Sequence, residues 1–123
     1  MSRRGKAPTL AEGRRIAECK EGVCIPCLIW KESGKAPANF WPQIGGDYHH
    51  TKSGNIRRGH RFGFCNCGWH HRGLLDFACT HDEMRQHYGP SLMDGSRLFH
   101  ETYGSDDELI ARQDSLIGWR DAA

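Results

Sequence analysis

A chain of 123 residues has the length of one domain, and its 37% apolar content is too small for a core that stabilises so short a chain unaided. No stretch approaches the roughly 20 apolar residues that span a bilayer, and the start lacks the apolar centre of a signal peptide, which excludes membrane-spanning and secreted classes and leads us to expect a cytoplasmic protein. Net charge is only +2 at pH 7, but six cysteines and eight histidines are many for this length, and in a reducing compartment close-spaced cysteines indicate metal rather than disulfides.

In chain order, residues 1–8 read as a disordered basic arm and 9–123 as one domain. Thr9 with Glu12 forms a capping-box signature. It predicts a helix to about Glu21, with Leu10, Ile16 and Ala17 facing inward and Gly22 as its stop. Val23-Cys24-Ile25-Pro26-Cys27 is a tight C-x2-C knuckle, and residues 31–47, rich in Gly, Pro, Asn and Ser, read as a loop. Tyr48-His49-His50 closes a short strand, 51–60 form a basic glycine-containing loop, and Arg61 to Phe64 alternate as a second strand. A helix from Cys67 to about Phe77 carries His70 and His71. Residues 78–95 show no period, and Gly89-Pro90 breaks any helix there. Ser96 caps a short helix with Phe99 and Tyr103 inside, stopped by Gly104. Ser105 and Glu108 then form a second capping box, ahead of a last helix with Leu109, Ile110, Leu116 and Ile117 at helical spacing.

Structural zinc takes about four ligands, and a C-x2-C turn supplies two of them. Cys24 and Cys27 fit that role, and Cys67-x2-His70 offers a second knuckle with matching spacing. Cys65-x-Cys67 is the alternative second pair. Cys19 and Cys79 have no assigned role.

Charge is unevenly spread. Residues 1–20 hold six basic against two acidic side chains, 47–75 five against one, and 100–123 two against six. The two basic stretches suit a polyanionic partner, and Lys52, Arg57, Arg58 and Arg61 are the candidate phosphate contacts. Neighbours on a strand face opposite ways, so His49 can bind a metal while His50 addresses a water. His70 and His71 differ by about 100° on a helix, so one serves the zinc knuckle and the other a second site. Strand, loop, strand and helix with histidines at these places form a ββα-metal arrangement. Such a site suits phosphodiester hydrolysis: a divalent ion neutralises charge on the phosphate, and a neutral imidazole takes the proton from water.

Several segments carry a family resemblance. Gly22-Val23-Cys24-Ile25-Pro26-Cys27 follows the Pro-Thr-Leu-Ala-Glu helix. His49-His50 precede Lys52-Ser53-Gly54. Arg58-Gly59-His60 is followed by Cys67 and then His70-His71-Arg72-Gly73. Phe99 to Gly104 ends on Tyr-Gly before Asp107-Glu108-Leu109. From Pro8 to Ile117 the chain resembles the phage Ref proteins, the recombination-enhancing, RecA-dependent nucleases of the HNH superfamily. The resemblance implies an α+β fold, a small zinc-stabilised treble-clef/ββα-metal domain with flanking helices. It also implies a metal-dependent DNA endonuclease that uses structural zinc together with catalytic Mg²⁺ or Mn²⁺. Its partners would be DNA and a RecA-type recombinase filament. His49 falls on the metal-binding first position, His50 on the general base, His60 near the middle position that orients the base, and His71 on the helix ligand. The family's further histidine has no counterpart, because Met93 stands there, so His87 or His81 is expected to replace it as a metal ligand. Phe64-Cys65-Asn66-Cys67 also departs from the family's apolar-Pro-Leu-Cys. The alternative functions are a zinc-containing nucleic-acid-binding module without catalysis, favoured if His50 is dispensable, and a protein-interaction adaptor, which has no need of the basic loop.

Overall fold

Thr9 opens the first helix in the computed structural model, which describes residues 6–76 and 78–120. Phe77 and residues 1–5 of the proposed basic arm lie outside the described residues. Helix α1 (Leu10–Glu21) carries the expected capping box: the Glu12 amide donates to the Thr9 hydroxyl at 3.1 Å and the Thr9 amide to the Glu12 carboxylate at 2.9 Å. Its inner face differs from the periodic reading. Leu10 is 75% exposed, whereas Arg15 and Cys19 are buried, because the surface beneath α1 is polar.

Helix α2 (Ile25–Glu32) starts within the cysteine knuckle, with Cys24 at its N-cap and Pro26 in the first turn, where a fixed φ and a missing amide cost nothing. The loop read from residue 31 therefore begins only at Ser33. Strand β1 (Asp47–His50) pairs antiparallel with β4 (Gly63–Asn66), placing Tyr48 opposite Cys65 and His49 opposite Phe64. The second strand thus lies two residues later than its pattern suggests. The basic loop between them folds into a hairpin, β2 (Lys52–Ser53) with β3 (Ile56–Arg57). Gly54 occupies its turn at φ +64°, a conformation that favours glycine.

Helix α3 (Gly68–Arg72) follows β4 directly, capped by Cys67 and ended by Gly73 in the left-handed region, well short of Phe77. Helix α4 (His81–Tyr88) occupies the stretch read as irregular; Thr80 and Glu83 form its capping box. After a 3-10 turn at Leu92–Asp94 come α5 (Ser96–Tyr103) and α6 (Asp106–Ile117), the latter capped by Ser105 with Glu108 as expected. The core wraps the cysteines with Ile25, Trp30, Phe64, Trp69, Phe99 and Leu109.

Two long-range contacts close the outer edge of β4. The Gly63 carbonyl accepts from Arg15 Nη2 at 2.8 Å, and the Cys65 amide donates to Gln113 Oε1 at 2.8 Å. Arg15, 1% exposed, also donates to the Tyr48 hydroxyl at 3.0 Å and to Asp114 at 2.5 Å. A buried guanidinium is tolerated only when it is paired in this way, and a covered edge cannot template pairing with another chain. Asn66, at the end of β4, is fully buried, and its side-chain amide has no hydrogen-bond partner among the described residues. None of the helices among the described residues is long and apolar enough to cross a membrane.

Candidate metal centre and histidine site

The knuckle before α2 and the start of α3 bring Cys24, Cys27, Cys67 and His70 together, all buried, with ligand atoms within 4.8 Å of one another. His70 Nδ1 lies 3.5, 3.4 and 3.3 Å from the sulfurs of Cys24, Cys27 and Cys67, and the Cys27 and Cys67 sulfurs are 3.9 Å apart. Zinc–sulfur bonds of about 2.3 Å and zinc–nitrogen bonds of about 2.0–2.1 Å at tetrahedral angles put ligand atoms ~3.5–3.8 Å apart. The group therefore fits one metal ion such as zinc. His70 Nε2 is 2.9 Å from the Tyr88 carbonyl. That acceptor keeps the proton on Nε2 and leaves the Nδ1 lone pair facing the thiols, the usual outer support of a ligating imidazole. The Cys67 amide donates to Cys24 Sγ at 3.2 Å.

Electrostatics point the same way. Burial, together with its hydrogen bonds to Cys27 and Cys67, pushes the Cys24 thiol well up, while the hydrogen bonds of Cys24 and Cys27 to Cys67 hold Cys67 well down. Three thiols in a dry cluster cannot all ionise unless a cation compensates them. Cys65 stands outside this group. It points toward Gly22, with Sγ 3.8 Å from that carbonyl, and burial raises its thiol to about 12. Of the two second pairs open in the sequence, the structure brings Cys67 and His70, and not Cys65, up to Cys24 and Cys27.

Strand β1 divides the remaining chemistry between its two faces. Asp47 and His49 lie on one face, turned toward α3. His71 Nδ1 is 2.8 Å from Asp47 Oδ2, Arg72 Nε donates to the same oxygen at 2.8 Å, and the His49 and His71 rings meet edge-on with centroids 5.0 Å apart. The His71 hydrogen bond and the Arg72 charge hold the Asp47 carboxyl below its usual range. Burial, reinforced by His71, pushes His49 down to about 4, with Asp106 pulling in the opposite direction. His49 is accordingly a neutral imidazole with lone-pair character, as a metal ligand must be. Asp106 itself pairs with His100 Nε2 at 2.8 Å.

On the other face, Tyr48 and His50 turn toward α1 and His60. His50 Nε2 is 3.2 Å from His60 Nδ1, and His60 Nε2 is 2.5 Å from the Lys6 carbonyl. Tyr48 donates its hydroxyl hydrogen to the His60 carbonyl at 2.6 Å. Burial, then the positive charge of Arg57, then His60 lowers the His50 pKa, which keeps its imidazole neutral near pH 7.

His87 does not join His49 and His71. Its ring packs edge-on against Phe40 and Tyr88, with centroids 5.4 and 4.9 Å away, and its carbonyl accepts from Trp30 Nε1. His81 instead pairs with Asp94 at 2.6 Å. Because α4 is a regular helix, His87 is placed by the register of Met84 and Tyr88, which anchor α4 in the core. Among the described residues, Cys24, Cys27, Cys67 and His70 are the only group of three or more such ligands drawn this close. Within the basic hairpin, Lys52 and Arg57 are exposed. Arg58 pairs with Asp107 at 2.7 Å and stacks on Phe62, and Arg61 also lies over Phe62. Sequence reasoning missed Asp47, although its i, i+2 spacing to His49 was a usable signal. It also missed the His100–Asp106 pair, which no local pattern marks.

The family model described as recombination enhancement, RecA-dependent nuclease matches residues 8–118. No curated protein and no solved structure gives a match.

Proposed function

The chain belongs to the recombination-enhancement, RecA-dependent nuclease family, and on that premise we propose that it is an HNH-type endonuclease that hydrolyses DNA phosphodiesters with a single divalent ion at His49 and His71. The observation that carries this reading is the split of two adjacent histidines across β1: His49 meets His71, while His50 meets His60. The pleat of β1 would separate any two neighbours; what supports the reading is that each of them meets another histidine on its own face.

In this reading Cys24, Cys27, Cys67 and His70 hold structural zinc, which fixes α3 against the β1–β4 pair. Asp47 orients His71 through Nδ1, so that Nε2 is the atom that would hold the ion. Mg²⁺ or Mn²⁺ bound there would neutralise charge building on the phosphate and the departing oxygen. Two imidazoles leave room for waters and phosphate oxygens, which such ions keep as ligands. His50, neutral at pH 7, removes the proton from the attacking water, and His60 positions its ring. Lys52, Arg57, Arg58 and Arg61 face the phosphate backbone, Arg58 exchanging Asp107 for phosphate. A RecA-type filament is the proposed protein partner.

The second reading, a zinc-containing nucleic-acid-binding module, draws on one specific observation: no third protein ligand among the described residues reaches His49 and His71 as closely as the zinc ligands approach one another. Plasmid nicking decides between the two. Wild type and His50→Ala are compared with Mg²⁺, Mn²⁺ or EDTA, with and without a recombinase filament. Metal-dependent nicking that His50→Ala abolishes supports the nuclease. Absence of metal-dependent cleavage of every DNA form leaves the binding module.

A further inference from the structure

We propose that Lys6, ahead of α1, belongs to the active site, with its backbone carbonyl as the positioning group that sets the proton on His60 and, through it, on His50. The proposal rests on the reading of His50 as the base. It arises from an unbroken line of contacts: Lys6 carbonyl to His60 Nε2 at 2.5 Å, then His60 Nδ1 to His50 Nε2 at 3.2 Å.

The direction of that line follows from chemistry. A carbonyl oxygen only accepts, so His60 Nε2 must carry a hydrogen. A neutral imidazole has one ring N–H, so His60 Nδ1 is then an acceptor. His50 Nε2 must therefore donate to it, and the His50 lone pair falls on Nδ1, for which the described residues supply no hydrogen-bond partner. Reversing His60 to its other tautomer would turn the His50 lone pair inward against His60, where it has no water to deprotonate. A single main-chain oxygen thus selects the productive form of both rings.

Lys6 lies three residues before Thr9, whose capping box fixes the helix start. The same helix holds Tyr48 through Arg15, and Tyr48 donates to the His60 carbonyl. His60 is consequently gripped at its ring by the segment before α1 and at its backbone by a side chain that α1 supports. The arrangement gives Lys6 a task that its charge alone does not suggest.

The test compares the full chain with a variant lacking residues 2–7, which keeps Pro8 and the Thr9 cap. Nitrogen-15 NMR of histidine-labelled protein, without DNA or divalent ion, reads the tautomer of His60, assigned with His60→Ala. The full chain should show the Nε2–H form and the shortened chain a mixture, with zinc content and melting unchanged. In nicking assays the deletion should lower kcat by about tenfold through misplacement of the base, whereas Arg3→Gln with Arg4→Gln should raise KM and leave kcat. In a His60→Ala background the deletion should cost no further kcat, because both changes break one line of contacts. An unchanged His60 tautomer after the deletion, or losses that multiply in the double variant, would overturn the proposal. If wild type proves inactive, the nuclease reading fails, while the NMR comparison still decides whether Lys6 positions His60.

Discussion

His71 Nδ1 lies 2.8 Å from Asp47 Oδ2, and Asp47 stands two residues before His49 on the same face of β1. One strand therefore presents both an imidazole and the carboxylate that orients the imidazole facing it. Asp47→Ala should weaken binding of the divalent ion about 10–100-fold, the usual cost of removing such an outer partner. Nicking should recover at high Mn²⁺. A Mn²⁺ titration of cleavage checks this, and an unshifted midpoint would show that Asp47 serves only Arg72.

The cysteines allow a sharper contrast. Cys24→Ser should release zinc and unfold much of the domain, since binding energy at such sites is folding energy. Cys65→Ser should retain zinc, because its sulfur points to Gly22, away from the cluster. Metal analysis and thermal melting of both variants are enough. A Cys65→Ser protein that loses zinc would redraw the ligand set.

Asn66 offers a stability test with the opposite sign. Its buried amide has no partner among the described residues, and a buried unsatisfied polar group costs about 1–3 kcal/mol. Asn66→Val, nearer to asparagine in volume than leucine, free of polar atoms and suited to a strand, should raise the melting temperature at unchanged zinc content. A lower melting temperature would mean that the amide is satisfied after all.

What is legible in the sequence is local. The capping boxes at Thr9 and Ser105 and the C-x2-C and C-x2-H knuckles depend on residues within a few positions of each other, and all four form as read. The inner face of α1 is not legible, because Arg15 is buried by groups 33, 48 and 99 residues away: Tyr48, Gly63 and Asp114. Helix α4 escapes a periodic reading since only Met84 and Tyr88 of its eight residues are buried, too few to show a period, although Thr80 and Glu83 mark its start. Family analogy sets His87 beside the other histidines. The register of α4 sends it to Phe40 instead.

The basic hairpin should govern affinity and, at a pH well above the His50 pKa, leave the chemistry unchanged. Lys52→Ala with Arg57→Ala removes two exposed charges and leaves the Arg58–Asp107 pair in place. The slope of log K against log salt on duplex DNA should flatten by roughly 0.9 for each phosphate that the variant no longer neutralises. An unchanged slope would mean that the hairpin faces away from the backbone.

His49 and His50 should fail differently when each is replaced by Ala. The imidazole of His49 meets His71, so its removal should weaken binding of the divalent ion, and part of the cleavage defect should return at high Mn²⁺. His50 touches His60 and no member of the zinc cluster. Its removal should leave fold, zinc and DNA affinity near wild type while cleavage drops by roughly 10²–10⁴, the usual worth of a positioned base, and metal should not restore it. The pH profile supplies an independent check. Burial and Arg57 lower the His50 pKa below the ordinary 6.5. The catalytically competent neutral form is therefore present above the lowered pKa and disappears as pH falls through it, so the acid limb of the rate should lie below 6.5. Removing the Arg57 charge should move that limb upward, toward the ordinary imidazole value. Wild-type cleavage by His50→Ala, or an acid limb that ignores Arg57→Ala, would remove His50 from the role of base.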